Sequence, residues 1–278
     1  MKCILTVAGL GTRLLPLTKE LPKEMLPIYA KSIKGELIMK PILQIIFESL
    51  YQYNIRNFCF ITGRTKRAVK DHFTPDFKLV RILQKNKKNN LAAELESFYS
   101  KLKKSNIVFI YQPTPIGFGD AIQRGKRFAA KDFFLLHAGD DIVISNNNDH
   151  LKRLESKFKK YGAEIACLVE KVNDPSHYGV IDGPLLEKGV IEIKKMVEKP
   201  KKPTSKNAII AIYIFKPVIF KYLAIAKKTT NPENQLAEAF NIAIKNGVKV
   251  IGVMLKKNEK RIDIGTPESY MKVLTSIY

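Results

Sequence analysis

Seven apolar runs of strand length, at residues 2 to 7, 57 to 61, 107 to 111, 133 to 137, 164 to 170, 207 to 215 and 248 to 253, recur along the chain with helix-like patterns between several of them. "KPILQIIFESLYQY" places apolar residues three and four apart, "TKRAVKDHF" follows the second run, and "GDAIQRGKRFAA" follows the third. A helix interposed between two strands carries the chain back to the end where it started, so the strands it joins run parallel. The pattern predicts an α/β chain with a mostly parallel sheet. From about 171 to 206 it gives way to short β-like pieces such as "VIEIKKMV" among Pro175, Gly179, Gly183, Pro184, Pro200 and Pro203, an excursion expected to cover one end of the sheet. In "DIGTPESYMKVL", Thr266 is placed as an N-cap with Pro267 at the first helical position, so a helix starts shortly after Asp263.

At 278 residues the chain is expected to form a single domain, residues 1–278, with halves of about 1–145 and 146–278. Hydrophobic and charged contents of 45% and 27% suit a globular protein, and no apolar run reaches the roughly 18 residues of a membrane span. The apolar start "MKCILTVAGLGTR" ends in glycines and an arginine instead of a small-residue cleavage site, and reads as strand one. Cys3, Cys59 and Cys167 each lie inside an apolar run, as small buried hydrophobes do, and the four histidines are too dispersed for a zinc spacing. A reducing, cytoplasmic compartment is expected. The formal charge of +22 invites a nucleic-acid reading, but the lysine clusters are scattered and no nucleic-acid motif is present. Positive potential of this kind favours a polyanionic small substrate by steering.

The first strand runs into "VAGLGTRLLPLTKELPKEMLPI", residues 7 to 28. A glycine loop at that place can meet a nucleotide beyond the carboxyl end of a parallel strand. "GLGTRL" lacks the third glycine of the dinucleotide fingerprint, and no GK[ST] follows as a P-loop requires. What remains is a loop whose small residues let backbone N–H groups approach a ligand, followed by Arg13 and Lys23, two cations able to clamp a polyphosphate.

The stretch resembles the signature of the sugar-1-phosphate nucleotidyltransferases, GxGTRxxPxT followed by PKxMLP, and its tail is most similar to the prokaryotic-type UTP:glucose-1-phosphate uridylyltransferases within that family. The resemblance covers nearly the whole chain. It implies a Rossmann-like, mostly parallel mixed sheet flanked by helices, with the small β excursion lying over a sugar site. It also implies a nucleotide site of Ala8, Gly9, Gly11, Thr12, Arg13, Lys23, Gln112 and Gly117, in which the Gln112 amide, a donor and an acceptor, meets the uracil while Gly117 and Gly119 allow close approach. "LLHAGDDIV" ends a strand in two aspartates, the hard oxygen ligands that Mg²⁺ on phosphates needs; Asp140 and, distant in sequence, Asp263 are the implied metal ligands, with Asp141 in support. In "HYGVI" and "MVEKPKKP", Gly179 and Glu198 would meet the sugar and Lys199 its phosphate.

The implied partners are UTP and glucose-1-phosphate, with no specific nucleic acid and no membrane, in a homodimer or homotetramer. The implied reaction is Mg-assisted in-line attack by the sugar phosphate on UTP, giving UDP-glucose and pyrophosphate, with Arg13, Lys23, Asp140 and Lys199 as the catalytic set. Three features depart from the family pattern: "YAKSIKGELIM" is inserted before Lys40 and Pro41, Ala211, Ile212 and Tyr213 stand where Gly-Arg-Tyr is usual, and Glu238 stands where an Asp is usual. Competing readings are a thymidylyltransferase using dTTP, a noncatalytic sugar-nucleotide-binding module, and a nucleic-acid binder.

Overall fold

The computed structural model describes residues 1–64 and 66–275. Strand β1 (Lys2–Val7) opens into three single 3-10 turns, Thr12–Leu14, Leu17–Lys19 and Lys23–Met25, and then into a hairpin of β2 (Pro27–Lys31) and β3 (Leu37–Pro41). The insertion before Lys40 is therefore a hairpin, with register Ile28 to Lys40 and Ala30 to Ile38. Lys40 pins it to the body through Glu48 and Glu94 at 3.0 and 2.6 Å.

Helix α1 (Ile42–Gln52) buries Ile42, Leu43, Ile46, Phe47 and Leu50 on one face, and ends where Asn54 takes a left-handed φ of 67°. After β4 (Asn57–Thr62) come α2 (Arg67–His72), α3 (Phe77–Lys85) and α4 (Asn89–Lys103), then β5 (Asn106–Tyr111). The expected helix after β5 is broken into α5 (Phe118–Arg124) and α6 (Lys126–Ala129) at Gly125, where a Cβ would stand 2.4 Å from Ile4 Cδ1 of β1. Strands β6 (Phe134–Ala138) and β7 (Asp141–Ile144) lead through α7 (Asp149–Lys160) to β8 (Ile165–Lys171).

The excursion forms β9 (Gly179–Asp182), β10 (Leu185–Glu187), β11 (Val190–Glu192) and β12 (Lys195–Glu198), and the chain closes with β13 (Asn207–Phe215), α8 (Ile219–Thr229), α9 (Gln235–Lys245), β14 (Val250–Met254), β15 (Lys260–Asp263) and α10 (Pro267–Thr275). Thr266 Oγ1 accepts from the Ser269 amide at 3.2 Å, the cap expected from the sequence.

All seven predicted runs are strands of one 11-stranded mixed sheet, ordered β10-β11-β14-β8-β13-β6-β1-β4-β5, with β9 on β13 and β12 on β9. Strands β5, β4, β1 and β6 are mutually parallel, and β13 is inserted antiparallel between β6 and β8. The central strands are buried on both faces: Leu5, Phe58 and Phe60 pack into one core, Ile4, Cys59 and Ile61 into the other. Cys3, Cys59 and Cys167 are free thiols inside these cores, and burial pushes Cys59 up to about 12, which leaves it unreactive at neutral pH. No helix among the described residues is long and apolar enough to cross a membrane.

Candidate active site

Two adjoining cavities open at the carboxyl ends of β1, β5 and β6, where an open parallel sheet receives its ligands. The first, of about 330 Å³, is lined by Ala8, Gly9, Gly11, Thr12, Lys23, Gln112, Gly117 and Asp140. The second, of about 600 Å³, is lined by Arg13, Lys23, Asp140, Gly179, Glu198 and Asp263 among others. Lys23 and Asp140 belong to both, so the cavities meet at one ion pair. Lys199 lines neither cavity; it holds a left-handed φ of 43°, and its ammonium is paired with Glu233, which does line the second.

The loop after β1 is shaped by Gly11, which takes φ 66° ahead of the first 3-10 turn and whose carbonyl accepts from Thr18 Oγ1 at 2.8 Å. The third turn presents Lys23 to Asp140. Burial disfavours the Lys23 ammonium, but Asp140 and Glu24 outweigh that and raise its pKa, so it stays charged. Behind it, Glu24 and Lys66 form a pair at 2.7 Å, with side chains only 1% and 4% exposed.

Asp140 follows β6, and Asp263 ends β15. A two-stranded antiparallel ribbon of β7 and β15, separate from the main sheet, sets Asp263 opposite Asp141 and so brings the distant carboxylates together. Asp141 is held by both arms of the buried Arg261 guanidinium, at 2.8 and 2.7 Å, and by the Ala211 amide at 3.1 Å. The same guanidinium lies 3.8 Å from Asp263 and stacks 4.9 Å from the Tyr178 ring. Burial, then Asp141, raise the Asp263 carboxyl's pKa against Arg261; Asp140 adds to the rise and Arg13 opposes it.

Negative charge is thus incompletely balanced at Asp263, on the wall it shares with Asp140. Among the described residues no group of three or more His, Cys, Asp or Glu is disposed to hold a metal. Two carboxylates facing one cavity nevertheless fit Mg²⁺, which is bound through one or two carboxylates completed by substrate phosphates and water.

Besides lining the first cavity, Gly117, with Gly119, allows a close approach inside the protein. Gly117 takes φ 98°, and a Cβ there would lie 2.4 Å from the Pro232 carbonyl oxygen, while one on Gly119 would lie 2.8 Å from Gln235. The close approach they permit is to the segment leading into α9. At Gly179 a Cβ would stand 2.9 Å from Met196 Cε and 3.1 Å from Glu198 Oε2, so the missing side chain lets the Glu198 carboxylate lie over the β9 backbone. Glu198 is raised by that burial, against the lowering effect of Lys199.

A family model described as nucleotidyl transferase matches residues 2–278. The chain belongs to the nucleotidyl transferase family. A UTP–glucose-1-phosphate uridylyltransferase of Staphylococcus haemolyticus is 36% identical over 242 residues, 86% of this chain and 79% of its own. Among solved structures, an apo UDP-glucose pyrophosphorylase is 34% identical, with a TM-score of 0.86 over 100% of this chain and 98% of that one. A UDP-glucose pyrophosphorylase complexed with UDP-glucose is 33% identical, with a TM-score of 0.81 over the same shares.

In this nucleotidyl transferase, four site elements escaped the sequence reading. Arg261 stands two residues before Asp263 on one strand, hence on the same face, a spacing that could have flagged it. Asp120, three residues after Gly117, receives Gln112, Arg124 and Lys227. Glu24 and Lys66, a buried pair, and Glu233 carried no local signal in the sequence.

Proposed function

We propose that this nucleotidyl transferase is a UTP:glucose-1-phosphate uridylyltransferase, joining a uridylyl group to glucose-1-phosphate with release of pyrophosphate. The observation that carries the reading is the pair of cavities meeting at Lys23 and Asp140, one lined wholly by residues 6 to 140 and the other mostly by residues 177 to 269. It supports one catalytic unit over 1–278, with a nucleotide half of about 1–145 and a sugar half of about 146–278. The named relatives support the choice of uracil nucleotide and glucose phosphate.

An oxygen of the sugar phosphate forms a bond to the α-phosphorus of UTP as the bond to the β-phosphate bridge breaks, and pyrophosphate leaves with that electron pair. The attacking phosphate is an anion already, so the protein has to position two mutually repelling anions and balance their charge. Backbone amides of Ala8, Gly9, Gly11 and Thr12 face the nucleotide, and Arg13 and Lys23 hold its phosphates. Gly179 and Glu198 bind the sugar. Lys199, at the rim, exchanges Glu233 for the sugar phosphate. Asp140 and Asp263 would hold Mg²⁺, which when bound supplies positive charge to the reacting phosphates. A cytoplasmic homodimer or homotetramer completes the reading.

The test is a pyrophosphate-release panel crossing UTP, dTTP, CTP and ATP with several sugar-1-phosphates, with and without Mg²⁺. UTP with glucose-1-phosphate and Mg²⁺ is expected to be fastest; a preference for dTTP would make the chain a thymidylyltransferase, and no release from any pair would leave a binding module. Asp140→Ala and Asp263→Ala should each abolish turnover in a folded protein, and near-normal rates in both would remove the metal assignment.

A further inference from the structure

Gln112, at the end of β5, is 3% exposed and lines the first cavity. Its amide nitrogen carries two hydrogens, and both are engaged within the protein: Nε2 donates to Asp120 Oδ2 at 3.0 Å and to the Gly117 carbonyl at 3.3 Å. Both partners are oxygen acceptors. Turning the amide over would set Gln112 Oε1 against a carboxylate and a carbonyl, replacing two hydrogen bonds by two lone-pair repulsions. The atom left to meet a ligand is therefore the carbonyl oxygen.

Asp120, in the first turn of α5, is 4% exposed and takes three donors: Gln112, Arg124 Nε at 2.8 Å and Lys227 Nζ at 3.1 Å. Burial works to raise its pKa, but Gln112, Lys227 and Arg124 together hold the carboxyl below the usual carboxylate range. A carboxylate without a proton can only accept, so it cannot serve an inverted Gln112. Lys227 comes from α8, in the later half of the chain.

We propose that Asp120 is a positioning residue for base selection: it fixes Gln112 with its oxygen toward the cavity, so the site accepts a pyrimidine whose ring nitrogen carries a hydrogen and rejects cytosine, whose matching nitrogen is an acceptor. The proposal rests on the first cavity being the nucleoside site. A flexible glutamine could serve either base by rotating; a pinned one reads hydrogen-bond polarity.

The test compares kcat and KM for UTP and CTP, at saturating glucose-1-phosphate and Mg²⁺, in the wild type and in Asp120→Asn. The asparagine is isosteric, but its amide can present either end to Gln112 and so frees the glutamine to invert. The UTP:CTP ratio of kcat/KM is expected to fall about tenfold or more, through KM, with kcat for UTP within about twofold of wild type. A purely structural role would lower both nucleotides together, and an unchanged ratio would overturn the proposal. If Asp120→Asn fails to fold, the double variant Asp120→Asn/Lys227→Met removes one cation with the carboxylate charge and is expected to show the same fall.

A measurement independent of variants is ¹⁵N NMR of the Gln112 side chain. Both amide hydrogens should be protected from exchange in the free protein and remain so with UTP bound; loss of protection on binding UTP would mean that Asp120 and Gly117 no longer hold the NH₂ and would overturn the proposal. A wild type that uses UTP and CTP equally would overturn the proposal that Gln112 reads polarity, and one that uses neither would sink the nucleoside-site reading itself. A wild type that prefers UTP, beside an Asp120→Asn with the same preference, would sink Asp120 alone.

Discussion

Lys66→Met isolates the buried pair behind Lys23. The Lys66 ammonium stands 2.7 Å from Glu24, and their side chains are 4% and 1% exposed, so water cannot replace the lost partner. Burial already raises the Glu24 pKa, against the lowering effects of Lys66 and then Lys23, and Asp140 pushes it up further. Removing the first of the two cations leaves an under-compensated buried carboxylate, which costs about 3–5 kcal/mol in comparable pairs. At roughly 2–4 °C per kcal/mol for a chain of this size, the melting temperature should fall by about 10 °C. The sign with pH follows from the raised carboxyl. Its stabilising contribution is present while it is protonated and is lost as pH rises through its folded pKa. The variant's deficit should therefore be larger at pH 8 than at pH 5.5 in thermal scans of both proteins. Glu24→Gln/Lys66→Met removes both charges and should recover most of the loss. A single variant as stable as wild type, or a double variant no better than the single, would refute the view that Glu24 is buried as a charge.

Gly179→Ala puts a methyl 3.1 Å from Glu198 Oε2 and 2.9 Å from the flexible end of Met196, so the carboxylate must move; KM for glucose-1-phosphate should rise about tenfold with KM for UTP near wild type, read from initial rates. Burial first, and then His137, push His150 down from 6.5 to about 4, so it stays neutral in the fold while the unfolded chain takes up a proton; stability is complete above about pH 6.5 and falls as pH drops toward 4, on the order of 3 kcal/mol, in urea titrations across that range, and His150→Asn should flatten the dependence. Asp140→Asn removes the carboxylate that occupies Lys23, so in EDTA it should bind UTP several-fold more tightly than wild type by calorimetry while turnover with Mg²⁺ is lost; weaker binding would mean that Lys23 is not withheld from the phosphates.

The sheet was legible because its central strands, buried on both faces, are written as unbroken apolar runs, as in "KCILTV", "NFCFIT" and "IACLV". Helices α3 and α4 escaped because their apolar residues do not mark one buried face: Phe77, Leu79 and Ile82 of α3 and Leu91 of α4 are exposed, although Asp76 caps α3 through the Lys78 and Leu79 amides. The β2–β3 hairpin was not legible in the inserted "YAKSIKGELIM", because Glu48 and Glu94, the partners that pin it through Lys40, lie outside that stretch. At the site, the residue types were readable and their pairings were not. "GDD" announces two carboxylates, yet only the fold makes Asp140 the partner of a lysine and Asp141 the partner of an arginine. Gln112 read as a donor and an acceptor until Asp120 claimed its hydrogens.

Those pairings bear on how a cationic site can stay folded without its ligand. Lys23 rests on Asp140, Arg261 on Asp141 and Lys199 on Glu233, so three cations around the second cavity and its rim are matched by carboxylates. Like charges gathered without such partners would repel and would favour the unfolded chain, whereas each pair also fixes the direction of a long side chain. Binding a polyphosphate then becomes an exchange of one anion for another at Lys23 and Lys199. Asp140, released by Lys23, requires a new cation; Asp141 does not, because both arms of Arg261 stay with it. That difference separates the two neighbouring aspartates: under the proposed function Asp140 would be the one freed for a metal as phosphate arrives, while Asp141 stays with Arg261 in the ribbon that sets Asp263 opposite it.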